Sequence, residues 1–137
     1  MAETSITISN DISEVRQLAK WAGLFCDANG LQALEHRLTL VLEELLTNVI
    51  AYGYDDDAEH KIDAYVALTD GVLTAVFEDD GRPFNPYEAQ KPVMTGPLEK
   101  RTVGGLGIHL ILTIMDTVDY ERIDDRNRTT MTMAVAT

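Results

Sequence analysis

The sequence contains very little cysteine, since Cys26 is the only one among its 137 residues. An internal disulfide and a zinc site built from cysteines are therefore both excluded. No apolar run approaches the roughly 18 residues that a membrane-spanning helix needs. The first residues lack the basic and apolar regions of a signal peptide. We therefore expect a cytoplasmic protein that has no membrane partner.

Positive charge is also scarce. The chain has 11 lysines and arginines against 23 acidic residues, for a net charge of −12. A broad nucleic-acid surface needs a basic face, so a direct nucleic-acid partner is excluded. A polyphosphate ligand would need backbone N–H groups, a metal ion or a few placed cations. The acidity favours basic partner proteins, and it fits a role in solubility alone equally well.

The hydrophobic pattern predicts one domain over residues 1–137. A helix is expected at 12–29 and a longer one at 31–51, and the third helix is expected to run from Gly105 to Asp116. Strands are expected at 4–8, 60–68, 72–79, 118–123 and 129–135, with a polar turn at Asp124–Asn127. The order implies an α+β two-layer sandwich with helices on one face of a mixed sheet. Residues 81–103 hold all four prolines and predict a long loop.

Three short motifs suggest a nucleotide pocket. In EELLTN, Glu44 and Asn48 are four residues apart and share one helical face. Asn48 could offer an amide oxygen to Mg²⁺, and Glu44 could take a proton from an attacking hydroxyl. The same spacing also occurs in ordinary exposed helices.

The second motif is Asp79-x-Gly81, which follows a predicted strand. A carboxylate at a strand end can accept the exocyclic amine of adenine, and glycine lets the base approach the backbone. A plain Asp-Gly turn is the alternative. The third motif, the glycine run 104–107, opens a helix and could cradle an anion or serve close helix packing.

Together and in this order, the motifs resemble the GHKL (histidine kinase-like) ATPase superfamily over nearly the whole chain. EELLTNVIAYGY is similar to its N box, FEDDGRPFNP to its first glycine box and GGLGIHLI to its second. Within the superfamily, these forms most resemble the anti-sigma-factor serine/threonine kinases of bacterial partner-switching systems.

The resemblance implies roles for individual residues. Asn48 would coordinate Mg²⁺, Glu44 would be the catalytic base, Asp79 would hold adenine and Gly81 would shape the base pocket. An ATP lid is implied at residues 87–103. Beyond it, phosphate would be cradled by Gly105, Leu106 and Gly107. A threonine of the last strand, Thr129 or Thr130, would assist adenine, and Thr130 is the candidate chosen. Whether Lys100 or Arg101 contacts the γ-phosphate is left open.

The function that the resemblance implies is ATP-dependent phosphorylation of an anti-sigma-factor antagonist by a protein that also binds a sigma factor. ATP and Mg²⁺ would be its cofactors, and a homodimer is left open. The alternative is a nucleotide-binding or purely protein-binding regulatory module with little kinase activity.

Overall fold

The computed structural model describes residues 2–85 and 103–135, with the side chains of 103–107 left out. These ranges contain three helices and five strands. In chain order the elements are β1 (Ala2–Ser9), α1 (Glu14–Ala28), α2 (Gln32–Tyr52), β2 (Lys61–Thr69), β3 (Val72–Asp79), α3 (Val103–Ile114), β4 (Thr117–Ile123) and β5 (Arg126–Ala134).

The strands form one sheet in the order β1-β2-β3-β5-β4. All of its neighbouring pairs are antiparallel. The α+β prediction is confirmed, but the expectation of a mixed sheet was wrong. A mixed sheet would need the strand after α3 to pair in parallel with β3. The hairpin partner β5 instead lies between β3 and β4, so each strand meets only antiparallel neighbours.

Two tight turns close the hairpins. Asp70 and Gly71 have φ of 51° and 75° in the turn between β2 and β3. Asp124 and Asp125 have φ of 50° and 62° between β4 and β5. Positive φ at both central residues matches the twist of hairpin strands. The second turn is therefore shorter than predicted, and Asn127 belongs to β5 rather than to a turn.

The hydrophobic core lies between the helices and one face of the sheet. Because side chains alternate along a strand, the three central strands give every second residue to that core, while the edge strands β1 and β4 each bury one residue. In β3 the buried residues are Leu73, Ala75 and Phe77, and in β5 they include Met131 and Met133. Helix α2 faces them with a buried stripe: Leu34, Leu38, Val41, Leu42, Leu45 and Leu46. No helix in the described ranges is long and apolar enough to cross a membrane.

The core-facing rows change from apolar to polar at one end of the sheet. Asp79 follows Phe77 in the inward row of β3, while Asn127 and Thr129 precede Met131 in that of β5. Asp79 and Asn127 are direct register partners across the two strands. Asn48, near the C-terminal end of α2, is the fourth buried polar residue in the described ranges. Buried polar side chains are costly unless they are paired, so this end of the core is a candidate functional site.

Candidate functional site

A narrow cavity lies at this polar end of the core. Its walls come from the last turns of α2, the ends of β3 and β5, and the segment after β3. The lining residues are Leu45, Asn48, Val49, Tyr52, Gly53, Phe77, Asp79, Arg82, Phe84, Asn127 and Thr129. Mostly apolar walls with a few convergent polar groups are typical of a small-molecule site.

Asp79 is the buried acid of this cavity, with only 4% of its surface exposed. Its Oδ2 accepts hydrogen bonds from the Gly81 N–H at 2.9 Å and from Asn127 Nδ2 at 3.0 Å. Burial raises the pKa of Asp79, and these two hydrogen bonds partly offset the rise. Its Oδ1 has no hydrogen-bond partner among the described residues, so one carboxylate oxygen is left for a ligand.

Gly81 is required by close packing around that carboxylate. A Cβ added there would lie 2.9 Å from Asp79 Oδ2 and 2.9 Å from the Gly53 carbonyl oxygen. The Gly53 carbonyl also accepts the Arg82 N–H at 2.9 Å, which ties the end of α2 to the turn after β3. The structure thus brings Asp79 and Gly81 together, as the motif predicted.

Asn48 lies on the same cavity wall and is 8% exposed. Its Nδ2 is buried and has no hydrogen-bond partner in the part of the chain that the structure describes. A buried donor without a partner is costly, so an acceptor from a ligand would stabilise it. Glu44 lies about one turn earlier on α2, half-buried and outside the residues that line the cavity.

The last strand corrects one predicted residue. Thr129 is buried and lines the cavity, whereas Thr130 faces the opposite side of the sheet. There Thr130 borders an open depression with residues such as Tyr65 and Arg128. The choice of Thr130 was therefore wrong by one position. A shift of one residue in a strand reverses the face.

The glycine run lies in the first turns of α3, which begins at Val103 rather than at Gly105. The first four N–H groups of a helix lack intrahelical acceptors. Gly105 and Leu106 fall within that set, and Gly107 follows it. The side chain of Leu106 is outside the description, and so are Lys100, Arg101 and the rest of the predicted lid up to residue 102.

Asn127 is a site residue that the sequence reasoning missed. It is 3% exposed and contacts Asp79 directly. Because it was assigned to a turn, its side chain had no predicted face. The alternation of Thr129, Met131 and Met133 contained the missing signal, since stepping back by two residues leads to Asn127.

A polar cluster of four residues lies beside the site, near Asp79 and Gly53. The rings of Tyr54 and His60 stack with centroids 3.9 Å apart. His60 contacts Asp56 at 2.8 Å and Asp80 at 3.3 Å through its two ring nitrogens, and the Tyr54 hydroxyl donates to Asp80. The hydrogen bond to Asp56 is the main cause that raises the pKa of His60. Burial alone would raise the pKa of Asp80, but the hydrogen bonds from His60 and Tyr54 outweigh it and lower the pKa.

Comparison with known proteins gives three findings. A family model described as a histidine kinase-like ATPase domain matches residues 8–133. The anti-sigma F factor of Bacillus subtilis (strain 168) is 30% identical over 82 residues, and this match covers 59% of the chain and 56% of that protein. The match thus spans little more than half of that relative's length.

The third finding is structural. The histidine kinase AdeS of Acinetobacter baumannii superposes with a TM-score of 0.53 at 12% identity, covering 100% of this chain and 70% of that one. At this identity the likeness shows a shared fold alone.

Proposed function

The chain belongs to the histidine kinase-like ATPase domain family, and on that premise we propose that residues 1–137 form one ATPase domain that binds Mg²⁺–ATP and phosphorylates a protein hydroxyl. The family match over residues 8–133 supports treating the chain as a single unit. The finer proposal is an anti-sigma regulatory factor that acts on an anti-sigma-factor antagonist through serine/threonine kinase activity.

One observation carries the nucleotide-binding part of this proposal. A buried carboxylate, Asp79, lines the same cavity as Asn48, whose buried Nδ2 has no hydrogen-bond partner among the described residues. Asp79 Oδ1 can accept the exocyclic amine of adenine, while Thr129 and Gly81 lie on the same side of the sheet. An apolar wall that includes Phe77 and Leu45 suits the faces of a purine.

The residues of the site also fit a magnesium ion that is held mainly by the phosphate oxygens of ATP. The described residues contain no group of three His, Cys, Asp or Glu side chains that could hold a metal. Mg²⁺ commonly takes one or two ligands from protein and the rest from phosphate oxygens and water. Asn48 would supply the protein oxygen, and the ion would neutralise phosphate charge beside a strongly acidic chain.

The proposed transfer step assigns one role to Glu44. The acceptor serine or threonine oxygen bonds to the γ-phosphorus as the bond from phosphorus to the bridging oxygen breaks and ADP leaves. Glu44 takes the hydroxyl proton. Its half-buried position, about one turn from Asn48, leaves it accessible to an incoming hydroxyl. The N–H groups of Gly105 and Leu106 are proposed to hold phosphate oxygens. Gly107, which follows this free set, is proposed to let the phosphates approach the helix backbone.

The partners are proposed from the relative at 30% identity, whose name describes it as an anti-sigma F factor. A sigma factor and a small antagonist protein are the partners we propose, and both would be met in the cytoplasm. The net charge of −12 favours basic partner surfaces.

A nucleotide-binding regulator with little kinase activity is the second candidate. The observation that favours it is the position of Glu44, which does not line the described cavity. A module that only binds nucleotide would need Asp79 and Asn48 but no residue that takes a proton from an acceptor hydroxyl.

The deciding experiment is phosphoryl transfer from γ-labelled ATP with Mg²⁺ to candidate antagonist proteins. If the protein is a kinase, the wild type should transfer the labelled phosphate to a serine or threonine of an antagonist. Glu44→Gln should lose transfer but retain ATP binding, whereas Glu43→Gln is the matched control. ATP binding without transfer to any candidate would favour the regulator.

A further inference from the structure

Asn127 is the most highly connected polar side chain of the described site. Its Nδ2 donates to Asp79 Oδ2 at 3.0 Å and to the Arg82 carbonyl at 2.8 Å, with a longer contact of 3.5 Å to the Gly81 carbonyl. Its Oδ1 accepts from the Phe84 N–H at 3.3 Å. Both ends of this buried amide are therefore hydrogen-bonded, as buried polar groups generally are.

The strand next to β5 also contributes to this network. Tyr120 donates its hydroxyl hydrogen to Asn127 Oδ1, and Arg122 Nη1 donates to the same oxygen at 3.1 Å. Arg122 Nη1 also donates to the Gly81 carbonyl at 2.7 Å. Every neighbour of Oδ1 is thus a donor and every neighbour of Nδ2 an acceptor. Rotating the amide by 180° would break both sets, so its orientation is fixed.

The fixed orientation of the Asn127 amide determines which oxygen of Asp79 is hydrogen-bonded. Asn127 Nδ2 and the Gly81 N–H both donate to Asp79 Oδ2, so Oδ1 is the carboxylate oxygen without a partner among the described residues. The same amide holds the backbone at Arg82 and Phe84, which form the next part of the cavity wall. One side chain therefore sets both the acceptor for the ligand and the wall beside it.

We propose that Asn127 is a positioning residue for adenine recognition, which aims Asp79 Oδ1 at the base and anchors residues 81–84 to β5. This inference rests on the proposed binding of ATP. In this proposal Asn127 acts through its hydrogen bond to Asp79, and Asp79 holds the base. A residue that only filled the core would be served as well by an apolar side chain, as at Met131 and Met133 in the same row.

The test is calorimetric titration of ATP with Mg²⁺ into the wild type and Asn127→Asp at several pH values. The substitution keeps the shape but replaces the donor by a carboxylate about 3 Å from Asp79. Two carboxylates this close share one proton. Once the pH is high enough to remove that proton, charge repulsion replaces the hydrogen bond to Asp79 Oδ2, and the affinity for ATP should fall by about 5- to 150-fold relative to the wild type.

Recovery at low pH separates positioning from a merely structural role. As the pH falls and the pair takes up the shared proton again, the hydrogen bond to Asp79 Oδ2 should be restored, and the variant should approach wild-type affinity. Arg128→Gln is the control, because Arg128 is next to Asn127 in β5 but faces the other side of the sheet. It should bind ATP as the wild type does.

Equal ATP affinity of Asn127→Asp and wild type at all pH values would overturn the inference. A loss that is the same at all pH values in a folded variant would overturn it as well. If the variant does not fold, Tyr120→Phe decides, since it removes only one donor to Asn127 Oδ1. A severalfold loss of affinity supports the inference and wild-type affinity overturns it. Failure of the wild type itself to bind ATP would instead refute the proposed function.

Discussion

Replacing Asp79 by asparagine should reverse the hydrogen-bonding character of the pocket while keeping its fold. In the wild type, Oδ2 accepts from Gly81 and Asn127 and Oδ1 is left for the ligand. An asparagine can keep its single oxygen on the two inner donors. Its NH₂ group then takes the place of Oδ1, so a donor would meet the donor amine of adenine.

The size of the effect follows from the bond that is lost. A hydrogen bond to a charged group contributes roughly 1.5–3 kcal/mol, and losing it lowers affinity by about 10- to 150-fold. ITP carries an acceptor oxygen where ATP carries its amine. The new NH₂ group can donate to that oxygen, so the affinity for ITP should not fall as the affinity for ATP does. The ratio of ATP to ITP affinity should therefore fall further than the affinity for ATP alone.

The unliganded variant should be at least as stable as the wild type at neutral pH. Burial raises the pKa of Asp79, so the folded state holds its proton more tightly than the unfolded state does. The wild type therefore loses stability as the pH rises from the unfolded pKa of about 3.9 through the folded value. Asparagine does not titrate, so the gain of Asp79→Asn should be larger at pH 7 than at pH 3.5.

Calorimetry with ATP and ITP, together with thermal unfolding at both pH values, measures these quantities. Unchanged ATP affinity in Asp79→Asn would refute the assignment of Asp79 to adenine. Equal losses for ATP and ITP would refute the argument from donors and acceptors.

Three further substitutions test other parts of the site. Glu44→Gln should reduce phosphoryl transfer by about 10²- to 10⁴-fold with little change in ATP affinity. Single-turnover assays measure the transfer and calorimetry measures the affinity. Transfer at the wild-type rate would show that Glu44 is not the catalytic base. Gly81→Ala should weaken ATP binding, because its Cβ would lie 2.9 Å from the Gly53 carbonyl oxygen; titration giving wild-type affinity would contradict this packing argument. His60 has a raised pKa, so its stabilising contribution is complete below the unfolded value of about 6.5 and is lost as the pH rises through the folded value. The stability of His60→Gln, measured by thermal unfolding, should therefore not show this loss as the pH rises. A pH dependence parallel to that of the wild type would contradict a stabilising role for His60 in the cluster.

Much of the fold could be predicted because its signals are local. The periodic stripe of α2 and the two hairpin turns depend on residues close in sequence, and the predicted elements correspond to the observed ones within a few residues. The order of strands is a non-local property. The sequence contains no local signal that β5 inserts beside β3, which is why a mixed sheet was expected.

The site shows the same division. Asp79 and Gly81 are two residues apart in the chain, and their turn could be recognised from the motif. Asn127 and Thr129 reach Asp79 only through the pairing of β3 with β5. An error of a few residues at the start of β5 placed Asn127 in a turn and favoured Thr130 over Thr129.

Mapping backbone amide chemical shifts during a titration with Mg²⁺–ATP tests whether the cavity beside Asp79 and Asn48 binds the nucleotide. We expect saturable shifts that concentrate at Asn48, Gly81 and Thr129, on the helix-covered side of the sheet. Shifts that concentrate instead at Tyr65 and Arg128 on the opposite face, or no saturable shifts at all, would contradict this expectation.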